Sequence, residues 1–263
     1  MTGRLLALIF PALAGIGWLV LAGAPQHYPL VNAGAALAGI PLIAAGARWS
    51  VPDKPLGIVL VALLFVPLVA GPSVGGASRW IGMAPILLTT SLLCLPPLAV
   101  LTARAKRGWL VGGLGLTFLA GLLQPDGSVV LALGAIILVL GRINLASITK
   151  AVLVGGIGAV MIWRDRLEPV PFVEGVLLDA AASSPLAAGM LGISLIASFF
   201  LVWTRSGAPE AERSALMAAL IALIAASLLG PFPTPLLGYG AASILGFALG
   251  LALMGREVKA ARQ

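Results

Sequence analysis

The sequence predicts an all-α integral membrane protein, a single bundle of ten transmembrane helices with both termini in the cytoplasm. Three observations predict it. The chain has 263 residues, of which 60% are hydrophobic and 10% charged, with a mean hydropathy of +1.10. A soluble domain of this size could not hide so much apolar surface, so its boundary is lipid. The apolar runs are built from Leu, Ala, Gly, Val and Ile without alternation of period two. Lipid offers no hydrogen bonds to the backbone, so a span is a helix or a barrel strand, and the missing alternation favours helices. Finally, the basic residues segregate between alternate loops.

The spans follow in order. Leu5–Leu21 comes after Arg4; Met1–Ala24, ending Ala22-Gly23-Ala24, also fits a cleaved signal peptide, which would not change the side of any later loop. Leu30–Ala47, Pro55–Val69, Met83–Ala103, Trp109–Leu123, Ser128–Gly141, Ile148–Trp163, Pro185–Trp203, Ala215–Leu229 and Leu236–Met254 complete the ten. Several fall short of the roughly 20 residues that cross a bilayer, which local thinning accommodates. Pro11, Pro41, Pro67, Pro96 and Pro97 read as kinks, and the 33 glycines permit close helix packing. There is no internal repeat of the transporter kind.

With ten spans, one side receives Arg4, Arg48, Lys54, Arg104, Lys106, Arg107, Arg142, Lys150, Arg205, Arg213, Arg256, Lys259 and Arg262. The other receives Arg79, Arg164 and Arg166. That asymmetry places both termini in the cytoplasm. The same scatter accounts for the net charge of +7 and argues against nucleic acid as a partner. Arg104–Arg107 and Ser206–Arg213 read as solvated turns. Cys94 reads as a small apolar residue and His27 as a loop residue, so no metal site is expected.

The longest polar interval is the external loop at residues 164–184, between spans seven and eight. It holds Asp165, Glu168, Glu174 and Asp179, four of the nine acids. They are the best candidates for chemistry. The alternative is an amphipathic loop helix with Phe172, Val173, Val176 and Leu177 packed and Glu174 and Asp179 turned to water. Arg79, on the side that avoids positive charge, pairs with Asp126 or a loop acid, binds a phosphate or diphosphate, or anchors the interface with Trp80. Asp126 caps a helix or joins Arg79 in a cavity.

These stretches carry a resemblance. Gly75–Gly82 (GGASRWIG) is similar to the NGARRWI motif of the SEDS family (shape, elongation, division and sporulation; RodA/FtsW-like membrane glycosyltransferases). Gln124-Pro125-Asp126 resembles its QPDLGT motif, and Pro235, Leu236, Tyr239 and Gly240 match its LPLVSYGGS motif. The resemblance implies a SEDS-like ten-span fold in the bacterial inner membrane. It implies handling of undecaprenyl-diphosphate-linked sugar precursors such as lipid II, glycan-strand polymerisation, and a penicillin-binding-protein or other membrane partner. It implies Glu174 or Asp179 as catalytic base, and Arg79, Trp80, Gln124, Asp126 and Tyr239 as substrate contacts. No cofactor is expected, with a divalent cation left open.

The chain also departs from the pattern. The family's aspartate falls on Gly175, one residue past Glu174 and four before Asp179. Of its QPSE motif only Ser91 remains, over Thr89-Thr90-Ser91-Leu92; the following lysine is Leu95, and the serine before the tyrosine is Gly238. The loop is shorter than the family's. Two further readings therefore stand beside the polymerase: a degenerate SEDS-like binding or scaffold protein, and a small transporter or channel.

Overall fold

The structure is a computed structural model and describes residues 1–46, 48, 51–83, 86–105, 107–141, 145–165 and 167–256. Ala47, Lys106, Arg142, Arg166, Lys259 and Arg262, on which the span and charge readings drew, lie outside the described residues.

The described residues form eleven helices and one hairpin. The first three helices are α1 (Thr2–Leu21), α2 (His27–Gly46) and α3 (Asp53–Ala70). The hairpin strands β1 (Trp80–Met83) and β2 (Ile86–Thr89) precede α4 (Thr90–Arg104), α5 (Arg107–Leu123), α6 (Gly127–Leu140) and α7 (Leu145–Arg164). The last four are α8 (Val176–Ser183), α9 (Pro185–Arg205), α10 (Glu210–Leu229) and α11 (Ala241–Leu253). By length and composition, α1, α2, α3, α7, α9 and α10 can each cross a membrane; the apolar parts of α4, α5, α6 and α11 are shorter.

Two elements differ from the sequence reading. The expected span Met83–Ala103 begins as antiparallel strand, with Trp80 opposite Thr89 and Met83 opposite Ile86. Trp, Ile and Thr favour a strand, and the proline at position 85 in the sequence opposes a helix there. The expected span Leu236–Met254 becomes helical only at Ala241, because Pro231, Pro233 and Pro235 hold the preceding segment out of helix. The amphipathic loop helix that is one reading of the loop between α7 and α9 is present as α8, started by Gly175 in the left-handed conformation at φ 62°; Asp179 is turned outward as that reading has it, whereas Glu174, just before the helix, is buried.

The core sits around α11, nearly all of whose residues are buried. It packs on α2 and α4; α10 packs on α4 and α6, α6 on α7, and α1 on α9. Outer faces carry exposed apolar residues such as Val69, Trp163 and Ile193, suited to lipid contact.

At one end of the bundle the helix ends are tied by charge. Arg104 donates through Nε and Nη2 to the two carboxylate oxygens of Glu212, at 2.7 and 2.8 Å. The Gly255 N–H donates to Glu212 Oε2 at 2.7 Å, and Arg256 donates to Asp53 at 2.6 Å. Arg4 donates to the Ser206 carbonyl at 2.8 Å. The turns expected to be solvated thus contribute Glu212, only 4% exposed, to a buried network. It lies in the first turn of α10, where a carboxylate also complements the helix dipole.

Candidate functional site

The opposite end of the bundle gathers the unusual polar residues. The start of α2, the β hairpin, the start of α4, the loop before α8 and the proline-rich loop that leads into α11 surround a cavity of about 560 Å³. Glu174, Glu168, Trp80, Tyr28, Tyr239 and Thr234 are in its wall. A second, more open cavity of about 470 Å³ lies against α8 and the end of α10, and Glu174 lines it too, together with Asp179.

Backbone pairing between two loops positions Glu174. The Thr234 N–H donates to the Val173 carbonyl at 2.9 Å, and the Tyr239 N–H to the Phe172 carbonyl at 2.7 Å. The Val176 N–H donates to Thr234 Oγ1 at 3.1 Å. This approach needs glycine at 238: a Cβ there would stand 2.5 Å from the Val173 carbonyl oxygen. Asn32 of α2 holds the proline-rich loop from the other side. Its Nδ2 donates to the Gly238 carbonyl and its Oδ1 accepts the Gly240 N–H, both at 3.0 Å.

Glu174 is 7% exposed, and its Oε2 accepts the Val170 N–H at 2.9 Å. Burial pushes its carboxyl above the ordinary glutamate range. The Val170 N–H and the Arg79 charge pull the other way, and the Asp165 charge raises it further. A carboxyl with a raised pKa, on a cavity wall, is suited to taking up and giving back a proton. Asp179 differs: it sits exposed in the first turn of α8, while Val176 and Ala180 of that helix are buried.

Arg79 is 4% exposed and pairs with Asp165 of the loop, not with Asp126. Its Nη2 also donates to the Pro125 carbonyl, and its guanidinium lies 4.7 Å from the centroid of the Phe232 ring. Arg79, Asp126, Ser128 and Glu174 share a water-sized cavity of about 10 Å³ beneath the larger one. Asp126 caps α6: its Oδ1 accepts the Ser128 N–H at 3.1 Å and the Ser128 hydroxyl at 2.6 Å. Gln124 is buried and donates to the Leu64 carbonyl of α3, outside the walls of these cavities. Trp80 lines both the large cavity and the small one.

Tyr239 stacks on Tyr28 at 3.7 Å between centroids, with the rings 6° from parallel. Burial and the neighbouring Tyr28 raise its hydroxyl pKa. His27 meets Tyr28 edge-on at 4.7 Å. Sequence reasoning brought Glu174, Trp80 and Tyr239 to this cavity and missed Tyr28, Asn32 and Thr234. Asp165 is covered by the expectation that Arg79 pairs with Asp126 or a loop acid, and the loop acid is the partner found. Among the described residues no group of three or more His, Cys, Asp or Glu side chains is arranged to hold a metal ion.

No family profile matches the sequence, and no curated protein matches it. Solved structures do. The rod shape determining protein RodA of Thermus thermophilus superposes with a TM-score of 0.67 at 19% identity, over 96% of this chain and 94% of that one. A single-residue variant of that protein gives 0.67 at 20% identity, over 96% and 95%. A chain from a peptidoglycan synthase complex, whose structure is described as coordinating polymerization and crosslinking, gives 0.55 at 18% identity, over 93% and 96%. The fold of this chain is therefore SEDS-like, that of the RodA/FtsW proteins, along nearly its whole length.

Proposed function

We propose that this chain is a multi-pass protein of the bacterial plasma membrane that handles undecaprenyl-diphosphate-linked sugar precursors, such as lipid II, in cell-wall synthesis. In this reading it has ten spans, with both termini in the cytoplasm and the 560 Å³ cavity on the outer face. The observation that carries the reading is Glu174, a buried carboxyl with a raised pKa on the wall of that cavity. Its carboxylate takes the proton of an acceptor sugar hydroxyl. The freed oxygen attacks the donor's anomeric carbon, the bond from that carbon to the phosphate oxygen breaks, and undecaprenyl diphosphate leaves. Asp179, exposed at the second cavity, is the alternative base. Trp80 and Tyr239 contact the sugar; Arg79, Asp126 and Gln124 hold the site's frame. The likeness to a peptidoglycan synthase complex supports a penicillin-binding-protein partner.

The test is lipid II polymerisation by purified protein, alone and with such a partner. Wild type and Asp179→Ala should make glycan strands, while Glu174→Gln loses at least about a hundredfold in rate. Polymer from Glu174→Gln at the wild-type rate would remove Glu174 as the base.

One observation favours a second reading, binding without transfer. The described residues lining the large cavity include no Lys or Arg, and Arg79 is already neutralised by Asp165. Among the described residues a departing diphosphate then has no unpaired cation at this cavity. Wild-type protein that binds undecaprenyl-diphosphate lipid but forms no strand with any partner would establish this reading instead.

A further inference from the structure

The small cavity of about 10 Å³ has room for a single water molecule. Buried polar groups from four segments line it: Arg79 beside the hairpin, Ser91 of α4, Asp126 and Ser128 at the start of α6, and Glu174 before α8. An apolar void of this size stays dry, whereas a polar one holds water.

The polar groups around it are incompletely matched by protein. Arg79 Nη2 donates to Asp165 and to the Pro125 carbonyl, but Arg79 Nε is buried and has no acceptor among the described residues. A buried N–H without an acceptor is costly, and an ordered water is the usual remedy. The two carboxylates have the complementary shortage. Glu174 Oε2 accepts the Val170 N–H, and Asp126 Oδ1 accepts the Ser128 N–H and hydroxyl. Glu174 Oε1 and Asp126 Oδ2 receive no hydrogen bond among the described residues. One water that accepts from Arg79 Nε and donates to both carboxylates supplies what each of the three lacks.

We infer that the small cavity is a binding site for one water, and that this water joins Glu174 to Asp126 as a proton relay. Protonated Glu174 gives its proton to the water oxygen as the water gives one of its own to Asp126. The O–H bond on Glu174 breaks, one forms on Asp126, and the water is restored. Concerted transfer leaves no hydronium beside the Arg79 guanidinium. Asp126 is then a proton store for Glu174 as well as the cap of α6. Two carboxylates facing one small cavity disfavour the doubly charged state, so they titrate as a pair. The other titratable or charged described groups near Glu174 are Arg79 and Asp165, paired with each other, Glu168, His27, Tyr28 and Tyr239 on the large cavity, and Asp179 on the more open one. Of these only Arg79 lines the small cavity. The relay rests on the proposed function only in giving Glu174 a proton to pass on.

Infrared spectroscopy of the full-length protein in detergent tests the relay without turnover. Exchange into oxygen-18 water should shift the O–H stretch of a bound water. The carboxyl band that disappears in Glu174→Gln should titrate in wild type over two overlapping steps. Asp126→Asn keeps the cap of α6, because an amide oxygen accepts the same N–H, but it cannot take up a proton. In that variant the Glu174 band should titrate in one step, displaced to lower pH. Ser91→Val is the second variant: it fills the cavity and should abolish the oxygen-18-sensitive band, which Ser91→Ala should retain. A Glu174 titration identical in wild type and Asp126→Asn would overturn the relay and assign proton exchange to the open cavity beside α8. A bound-water band indifferent to Ser91→Val would overturn the water site. Wild-type protein that shows the coupled titration but makes no glycan strand would count against transfer and leave the relay standing. Strand formation with a Glu174 titration indifferent to Asp126→Asn would do the reverse.

Discussion

At the scale of single residues, the state of Glu174 is set by competition. Burial withdraws water from its carboxylate, and one N–H donor and a neighbouring guanidinium return only part of that loss, so its pKa is raised. The consequence for stability has a definite sign. Below the unfolded-state pKa the carboxyl is protonated in both states and costs nothing. As pH rises, the unfolded chain releases its proton first, and stability falls until the pH passes the folded pKa. Glu174→Gln should therefore unfold at a higher temperature than wild type at about pH 7, with the gap closing toward about pH 4. Thermal unfolding in detergent over that range checks it, and a gap independent of pH would exclude ionisation of Glu174 as the cause. Glu174 and Arg79 stand out in the sequence because each is a rare charge in an apolar chain. The partner of Arg79 does not: Asp165 is one of four loop acids, 86 residues away, and nothing local marks which one reaches it. Asn32 is still less legible, a lone amide in an apolar run whose two bonds reach across more than 200 residues.

At the scale of elements, the long helices were legible because apolar composition and length fix them almost independently of their neighbours. The boundaries that moved lie where short-range rules conflict. Residues 80–89 are apolar enough for a span, yet their side chains favour a strand, and pairing across the hairpin resolves the conflict. Helix packing was legible as an abundance of glycine, but not at which glycine. At Gly246 of α11 an added Cβ would overlap the Leu92 carbonyl oxygen of α4, whereas at Gly192 of α9 it would meet open space. Gly246→Ala should destabilise by about 2 kcal/mol, as over-packing does. Gly192→Ala should be neutral or stabilise by up to about 1 kcal/mol. Paired unfolding measurements check the contrast, and equal effects at the two sites would contradict the close approach of α4 and α11.

At the scale of the whole molecule, the two ends of the bundle are built differently. One end is a cavity whose ionisable wall carries acids, and the other is a closed knot of ion pairs joining α3, α4, α10 and the end of α11. Removing Glu212 would leave Arg104 without its two-point partner and the Gly255 N–H without its acceptor. Glu212→Ala should cost about 3–5 kcal/mol, the usual penalty for orphaning one member of a buried pair. A loss below about 1 kcal/mol would mean that the pair behaves as a solvated one. The knot ties the ends of separate helices directly, so its loss should loosen the whole bundle and lower a single unfolding transition without splitting it.

By itself the sequence determined the membrane class, the order of the apolar helices, and the loops where polar chemistry collects. Those properties follow from composition and period, which a one-dimensional pattern carries in full. Only the tertiary structure decided that Glu174 is buried while Asp179 is exposed, that Arg79 is spent on Asp165, and that two tyrosines from distant segments form one stack. Burial, pairing and stacking depend on which segments meet, and in a bundle that is settled by packing between helices far apart in the chain.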